Sequence, residues 1–274
     1  MQNDSIRVFF IGDIIGRYGR YFLSKALLPL KRKYKPNLII ANGENSAGGL
    51  GIIKKTADEI FNAGVDIITT GNHVWDKKEA LPLLKENKFI LRPVNFPDVV
   101  PGNGFLEFSL KDGEKVTIIN LQGRVFMEPV VDNPFNAIDR LLKRVDTKIV
   151  FVDFHAEATA EKQAMGFYLD GRVSAVIGTH THVQTTDYRV LSNGTAYQTD
   201  VGMTGSLDSI IGMKRQPIIQ RFLTGINQRF EVAKANQILD IAIIDINTKI
   251  GKAEKIVSKR LYESNFQTEF KDYI

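Results

Sequence analysis

Three times before residue 90 the chain repeats one pattern: a short apolar run, a polar turn containing glycine, then a helix-length stretch. Ile6 to Ile11 leads into Gly12-Asp13 and a helix from about Arg17 to Tyr34. In that helix Tyr21, Leu23, Ala26, Leu27 and Leu30 recur near the helical period, and Pro29 is placed to kink it. Leu38 to Ala41 runs into Asn42-Gly43-Glu44-Asn45, then Gly48, Gly49 and Gly51, then a helix from about Lys54 to Asn62. Val65 to Thr69 ends at Gly71-Asn72-His73, with a further helix beginning near Asp76. Asn42-Gly43 would mark a hairpin elsewhere, but no alternating strand follows it. Successive strand–crossover–strand units must pair in parallel through right-handed connections. The fold class is therefore α/β.

Past residue 90 the pattern loosens. Arg92 to Pro97 is an extended connection, and Phe105–Leu110 and Lys115–Leu121 read as antiparallel strands around Asp112-Gly113. A loop from Gln122 to Asn133 precedes a helix from about Pro134 to Arg144. Lys148 to Asp153 is a strong apolar run ending at Phe154-His155, followed by a helix near Glu157 to Tyr168. Val173 to Ile177 is the next strand and delivers Gly178-Thr179-His180-Thr181-His182. Tyr188–Leu191 and Thr195–Gln198 flank Asn193-Gly194 as a hairpin, and Asp200 to Gly212 reads as a polar, glycine-rich loop. Ile238 to Ile246 and Ala253 to Val257 close the chain as two strands and a tail. The expected architecture is two packed sheets with helices outside.

Composition narrows the classes. The 274 residues, 43% hydrophobic and 24% charged, suit an ordinary packed core, and no linker or repeat divides residues 1–274, so one domain is expected. There are no cysteines, which excludes disulfides, thiolate metal sites and a cysteine nucleophile. The polar start Met1–Ser5 lacks the apolar region of a signal peptide. No apolar run approaches the roughly 20 residues that span a bilayer; a soluble, cytoplasmic protein with no membrane partner is expected. The net charge is +5, and from Ile14 to Gly43 there is no Asp or Glu, while Arg17, Arg20, Lys25, Lys31, Arg32, Lys33 and Lys35 are all basic. Such a segment is first a solvated helix face, but its field also suits nucleotides or RNA.

Chemistry concentrates at strand ends. Asp13, Glu44 with Asn45, Asn72 with His73, His155, and His180 with His182 follow five successive runs, and the four histidines of the chain are all among them. In α/β proteins ligands bind outside the carboxyl ends of strands. In an extended backbone residues two apart share a side, so His180 and His182 are expected to face one object, and imidazole is a common metal ligand. Taken singly, Asp13 could cap a helix and Asn72 could serve a turn; their joint placement argues otherwise. Eight oxygen and nitrogen donors exceed one tetrahedral site and divide into two sites with one carboxylate shared. Without thiolates the set suits manganese, iron or zinc better than magnesium. Two metals about 3.5–4 Å apart can clamp the attacking and leaving oxygens of a displacement at phosphorus.

Gly12-Asp13, Gly71-Asn72-His73, the isolated His155 and Gly178-x-His180-x-His182 resemble the ordered blocks of the calcineurin-like metallophosphoesterases. The likeness runs from Ile11 to about Val183, and more faintly to Gly212. Asn42-Gly43-Glu44-Asn45 and the histidine doublet are similar to the YmdB-like branch, bacterial 2′,3′-cyclic-nucleotide phosphodiesterases. Two departures from the wider superfamily, Ile15 in place of a histidine and Glu44 in place of a bridging aspartate, are those of that branch. The resemblance implies a four-layer α/β/β/α sandwich with two mixed sheets, and two transition-metal ions, iron or manganese first and zinc also compatible. It places one ion on Asp13, Glu44, Asn45 and His182, and the other on Glu44, Asn72, His155 and His180. It further implies a metal-bridging hydroxide as nucleophile, and a hydrolase converting 2′,3′-cyclic nucleotides and related phosphodiesters to 3′-phosphonucleosides.

His73 is then left beside a ligand, and an imidazole titrating near neutrality suits proton donation to a departing oxygen. Its orienting partner is not evident, because Val74 follows and the nearest acid is Asp76. Neither a Gly-x-Ser-x-Gly elbow nor a Gly-x-x-x-x-Gly-Lys loop occurs. Gly48, Gly49 and Gly51 read as a flexible connection, and Arg17, Arg92 and Arg124 are candidates to touch substrate. Rival readings are a phosphomonoesterase or phosphoprotein phosphatase on the same residues, and a metal-stabilised regulatory or RNA-binding module. The long C-terminal strands would serve either a homo-oligomeric contact or the edge of a sheet.

Overall fold

The computed structural model describes residues 4–274, so most of the polar start Met1–Ser5 lies outside the described residues. In chain order the first stretch is β1 (Ser5–Ile11), β2 (Asp13–Ile14), α1 (Gly16–Tyr34), β3 (Leu38–Asn42), α2 (Lys54–Ala63), β4 (Ile67–Thr69), α3 (Ala80–Glu86) and β5 (Ile90–Leu91). The middle holds β6 (Phe105–Ser109), β7 (Lys115–Gln122), α4 (Pro134–Leu142), β8 (Ile149–His155), α5 (Thr159–Tyr168), β9 (Ala175–Thr179), β10 (Arg189–Val190) and β11 (Ala196–Gln198). Then come β12 (Met203–Ser206), α6 (Arg215–Thr224), β13 (Gln237–Asn247), β14 (Ala253–Tyr262) and α7 (Glu263–Glu269).

Both sheets are mixed. The first runs β2-β12-β13-β1-β3-β4-β5, with β14 paired to β13. Its members β1, β3, β4 and β5 are parallel, as the repeated crossovers require. The second runs β10-β11-β9-β8-β7-β6, parallel from β7 through β8 and β9 to β11 and antiparallel at both edges. Pairing of β6 with β7 and of β10 with β11 follows the two Xaa-Gly turn signals.

The side-chain alternation of β1 shows why these sheets stack. Phe9 and Ile11 enter the core under α1 and α2, whereas Val8 and Phe10 point the other way, toward the second sheet. All four are fully buried, as expected of a strand covered on both faces. Each such large side chain contributes roughly 1.5–3 kcal/mol by leaving water. A third apolar cluster joins Val150, Val152 and Phe154 of β8 to Ala137, Ile138 and Leu141 of α4 and Met165 of α5. Three cores separating four layers make the α/β/β/α sandwich that the resemblance implied.

Several local readings change. On α1, Phe22 is buried and Tyr21 is 53% exposed, because the inward stripe continues through Phe22, Leu23, Ala26, Leu27 and Leu30. The helix expected near Asp76 is a 3-10 turn over Asn72–Trp75, with α3 starting later, at Ala80. Asp200–Gly212 is not simply a loop: β12 lies within it, held by β13 on one side and β2 on the other. The Gly48–Gly51 stretch is a tight turn, with Ala47 N–H donating to Gly51 O and Gly49 N–H to Asn45 O, rather than a loose connection. Arg20 is not part of a solvated face; it pairs with Glu59 and reaches the Ser46 carbonyl. Among the described residues no helix is long and apolar enough to cross a membrane.

Candidate metal centre

The carboxyl ends of β1, β3 and β4 in one sheet and of β8 and β9 in the other meet at one end of the sandwich, and every strand-end residue singled out above lies there. Asp13, Glu44 and His155 are fully buried, Asn45 and His182 nearly so. Close packing depends on two glycines. A Cβ on Gly71 would strike the His155 ring and the Glu44 carboxylate, and one on Gly178 would strike the Thr199 carbonyl.

Glu44 stands between two groups. On one side Asn45 Nδ2 lies 3.2 Å from Glu44 Oε1, 3.2 Å from His182 Nε2 and 3.4 Å from Asp13 Oδ1. His182 Nε2 is 3.6 Å from Asp13 Oδ1. On the other side His155 Nε2 is 3.0 Å from Glu44 Oε1, 3.1 Å from Asn72 Oδ1 and 3.0 Å from His180 Nδ1. The potential donor atoms of Glu44, His155 and His180 all lie within 4.8 Å of one another.

The histidine doublet departs from expectation in an informative way. His180 and His182 are not extended: their φ angles are 101° and 63°. β9 stops at Thr179, and the left-handed turn sends the two rings apart, His180 to His155 and His182 to Asp13. Left-handed backbone is costly for a residue with a Cβ. Here the turn is fastened by its own N–H groups: His180 N–H donates to Asp13 Oδ2 at 3.2 Å and Thr181 N–H to Asp200 Oδ2 at 3.0 Å.

Outside this cluster each ring is tied at its far nitrogen. Thr179 Oγ1 donates to Asp153 Oδ1 at 2.7 Å, so its lone pair accepts from His155 Nδ1–H at 2.8 Å. His182 Nδ1–H donates to the Ile211 carbonyl at 2.9 Å, and His180 Nε2 lies 3.2 Å from Glu157 Oε2. Asn42 Nδ2 secures the other oxygen of Asp153 at 3.1 Å. A ring whose outer nitrogen carries the hydrogen presents a lone pair inward, the tautomer a metal requires.

The donor set fits a cation. One hydrogen on His155 Nε2 can serve one acceptor, yet two oxygens and a nitrogen crowd that atom. An amide has two hydrogens, yet Asn45 Nδ2 faces three acceptors; turned over, the amide would offer its oxygen instead. Electrostatics point the same way. Burial opposes charge on His155, but the facing Glu44 carboxylate outweighs it and lifts the imidazole to about 9. Burial and the neighbouring His155 together push His180 down to about 3. Burial would raise Asp13 and Glu44, but His182 and His155 respectively hold them ionised, below the usual carboxylate range. The buried carboxylates thus draw positive charge into the cleft.

His73 sits at the rim, a third exposed. Its backbone N–H donates to Glu44 Oε2 at 3.2 Å, and its ring Nδ1 is 2.8 Å from Asp76 Oδ2, the orienting partner that was not evident from the sequence. Of the three arginines, Arg92 is 5% exposed and spends its guanidinium on the Pro93 and Pro101 carbonyls, so it braces a loop instead of meeting a substrate. Arg17 and Arg124 are exposed.

Sandwich and strand-end cluster together define a metallophosphoesterase-like protein. The chain belongs to the YmdB-like protein family, whose model matches residues 9–258. It is 48% identical over 253 residues to the 2′,3′-cyclic-nucleotide 2′-phosphodiesterase of Bacillus subtilis strain 168, covering 92% of this chain and 95% of that protein. A crystal structure of a novel phosphatase from Mycoplasma pneumoniae superposes with a TM-score of 0.91 at 35% identity over the whole of both chains. That of a hypothetical protein from Thermus thermophilus gives 0.88 at 43% identity, covering 94% of this chain and all of that one.

Proposed function

We propose that this chain, acting as a single domain over residues 1–274, is a metal-dependent phosphodiesterase that opens 2′,3′-cyclic nucleotides to 3′-phosphonucleosides. The observation that carries the reading is the geometry of three histidines, each tied at its outer nitrogen and turned inward around two buried carboxylates. Asp13, Asn45 and His182 would hold one ion, Asn72, His155 and His180 a second, and Glu44 both; iron or manganese suits these donors, and zinc is compatible. Such ions supply neutralisation of phosphate charge and activation of water. The chain's own residues do the rest. Buried strand ends fix the donors so that little reorganisation accompanies reaction. His73, with Nδ1 engaged by Asp76, has Nε2 to give a proton to the departing 2′ oxygen. The similarity to a named cyclic-nucleotide phosphodiesterase supports this choice of substrate.

Elemental analysis of the purified protein, paired with a 2′,3′-cyclic AMP assay before and after chelation, tests the proposal. Two transition ions per chain and chelator-sensitive formation of 3′-AMP are expected. Full activity in metal-free protein would overturn it. Because one structural relative is described as a phosphatase, bis-aryl and mono-aryl phosphates should be compared; preference for the monoester would favour the phosphatase reading.

A further inference from the structure

The loop leaving β7 carries a feature that catalysis leaves unused. Phe126 is 88% exposed and has a φ of 60°, so the chain holds a large aromatic ring in water on a backbone conformation that side chains disfavour. The loop around it is firmly built. Arg124 N–H and Val125 N–H both donate to the Glu161 carboxylate, at 3.0 and 3.2 Å. Gln122 Nε2 donates to the Pro129 carbonyl at 2.9 Å, and Met127 and Val131, both following the ring in the chain, are buried. A ring that merely lacked a partner could fold inward with its neighbours; this one is presented by a pinned backbone.

Its loop leaves β7 at the end of the sandwich that holds the cluster, since Gln122 pairs with His155. Gly123 N–H donates to the His155 carbonyl at 2.9 Å, and three residues of chain put Phe126 within roughly 11 Å of Gly123. That distance suits the base of a nucleotide whose phosphate lies among the strand ends. Elsewhere on the loop, Val125, Val130 and Phe135 line a separate shallow concavity of about 440 Å³ edged by Arg124 and Glu161.

We propose that Phe126 is the stacking platform for the nucleobase of the substrate, an inference resting on the phosphodiesterase reading. Aromatic stacking tolerates any base, so Phe126 sets a preference for nucleosides over simple phosphodiesters without selecting among bases. The test compares 2′,3′-cyclic AMP with the 2′,3′-cyclic phosphate of methyl riboside, which has the same reacting group and no base. For Phe126→Ala the ratio of kcat/KM between the two esters should fall roughly 5- to 150-fold, the range to which one stacked base converts. Phe126→Trp should restore it, and melting temperature should hold, since the ring packs against nothing that its loss would expose. Calorimetric binding of adenosine supplies a readout independent of turnover. A Phe126-dependent affinity for adenosine in a wild-type protein that hydrolyses neither ester would sink the enzymatic reading and keep the platform. An unaltered kcat/KM ratio in Phe126→Ala, or equal loss on both esters, would overturn the platform and leave the phosphodiesterase standing.

Discussion

Lys162 offers the sharpest test of how the histidine turn is held. On α5 it is 1% exposed, and its Nζ lies 2.7 Å from Oδ2 of the fully buried Asp200. The same carboxylate accepts Thr181 N–H at 3.0 Å and Gly202 N–H at 2.9 Å. Lys162→Met keeps most of the buried stem and removes the ammonium. Breaking one side of a buried pair costs about 3–5 kcal/mol. The two N–H donors still solvate Asp200, so the lower end, about 3 kcal/mol, is expected. That corresponds to a fall in Tm of roughly 6–12 °C. Usually a buried pair can be exchanged for apolar residues at little cost, but here the exchange should fail. Lys162→Met with Asp200→Leu would orphan the Thr181 and Gly202 N–H groups, at about 1–3 kcal/mol each. Guanidinium unfolding with chelator present, which removes stabilisation through ligand binding, measures both. Metal titration of the same variants reads the consequence for the turn, whose donors should bind more weakly once Thr181 is less firmly held. A Lys162→Met variant within 1 kcal/mol of wild type, or a double variant as stable as wild type, would refute the reasoning.

Three further outcomes are expected. His73→Ala should lower kcat about 10²- to 10⁴-fold with metal content and unfolding midpoint kept; Asp76→Asn should give a smaller loss and a shifted pH–rate profile. Thr179→Val removes the acceptor that fixes the His155 tautomer and the hydroxyl that serves Asp153. Metal affinity should drop about 10- to 100-fold, read by competition with a chelating dye; unchanged affinity would mean that the ring needs no such partner. For Asp187, burial is outweighed by the Thr199 and Thr185 hydroxyls, which hold it below the usual carboxylate range. A lowered folded pKa contributes stability that is fully present above the unfolded value near 3.9 and is lost as pH falls through the folded one. The stability gap between wild type and Asp187→Asn should therefore narrow on acidification through that window, and a constant gap would exclude the linkage.

How much of this was legible in the sequence depends on the reach of the interaction. The parallel half could be read because each β1, β3 and β4 unit is local, its period and turn residues lying within thirty positions. The convergence of five strand ends could be read because topology dictates it. β12 could not be read: Met203-Thr204-Gly205-Ser206 carries no alternation of its own and becomes a strand only because β2 and β13 offer backbone on both sides. Nor could the Lys162–Asp200 pair, whose members are separated by a strand and a hairpin. Asp153 left a trace, as a charge inside an apolar strand on the face shared with His155. The most instructive error concerns His180 and His182. Strand spacing puts both rings on one side, yet in the fold one ring meets His155 and the other Asp13. A left-handed turn achieves that division, and Asp13 and Asp200, from elsewhere in the chain, fasten it. Two residues that look like a pair are thus separated by long-range contacts, and their positions depend on Asp200 as much as on the strand that delivers them.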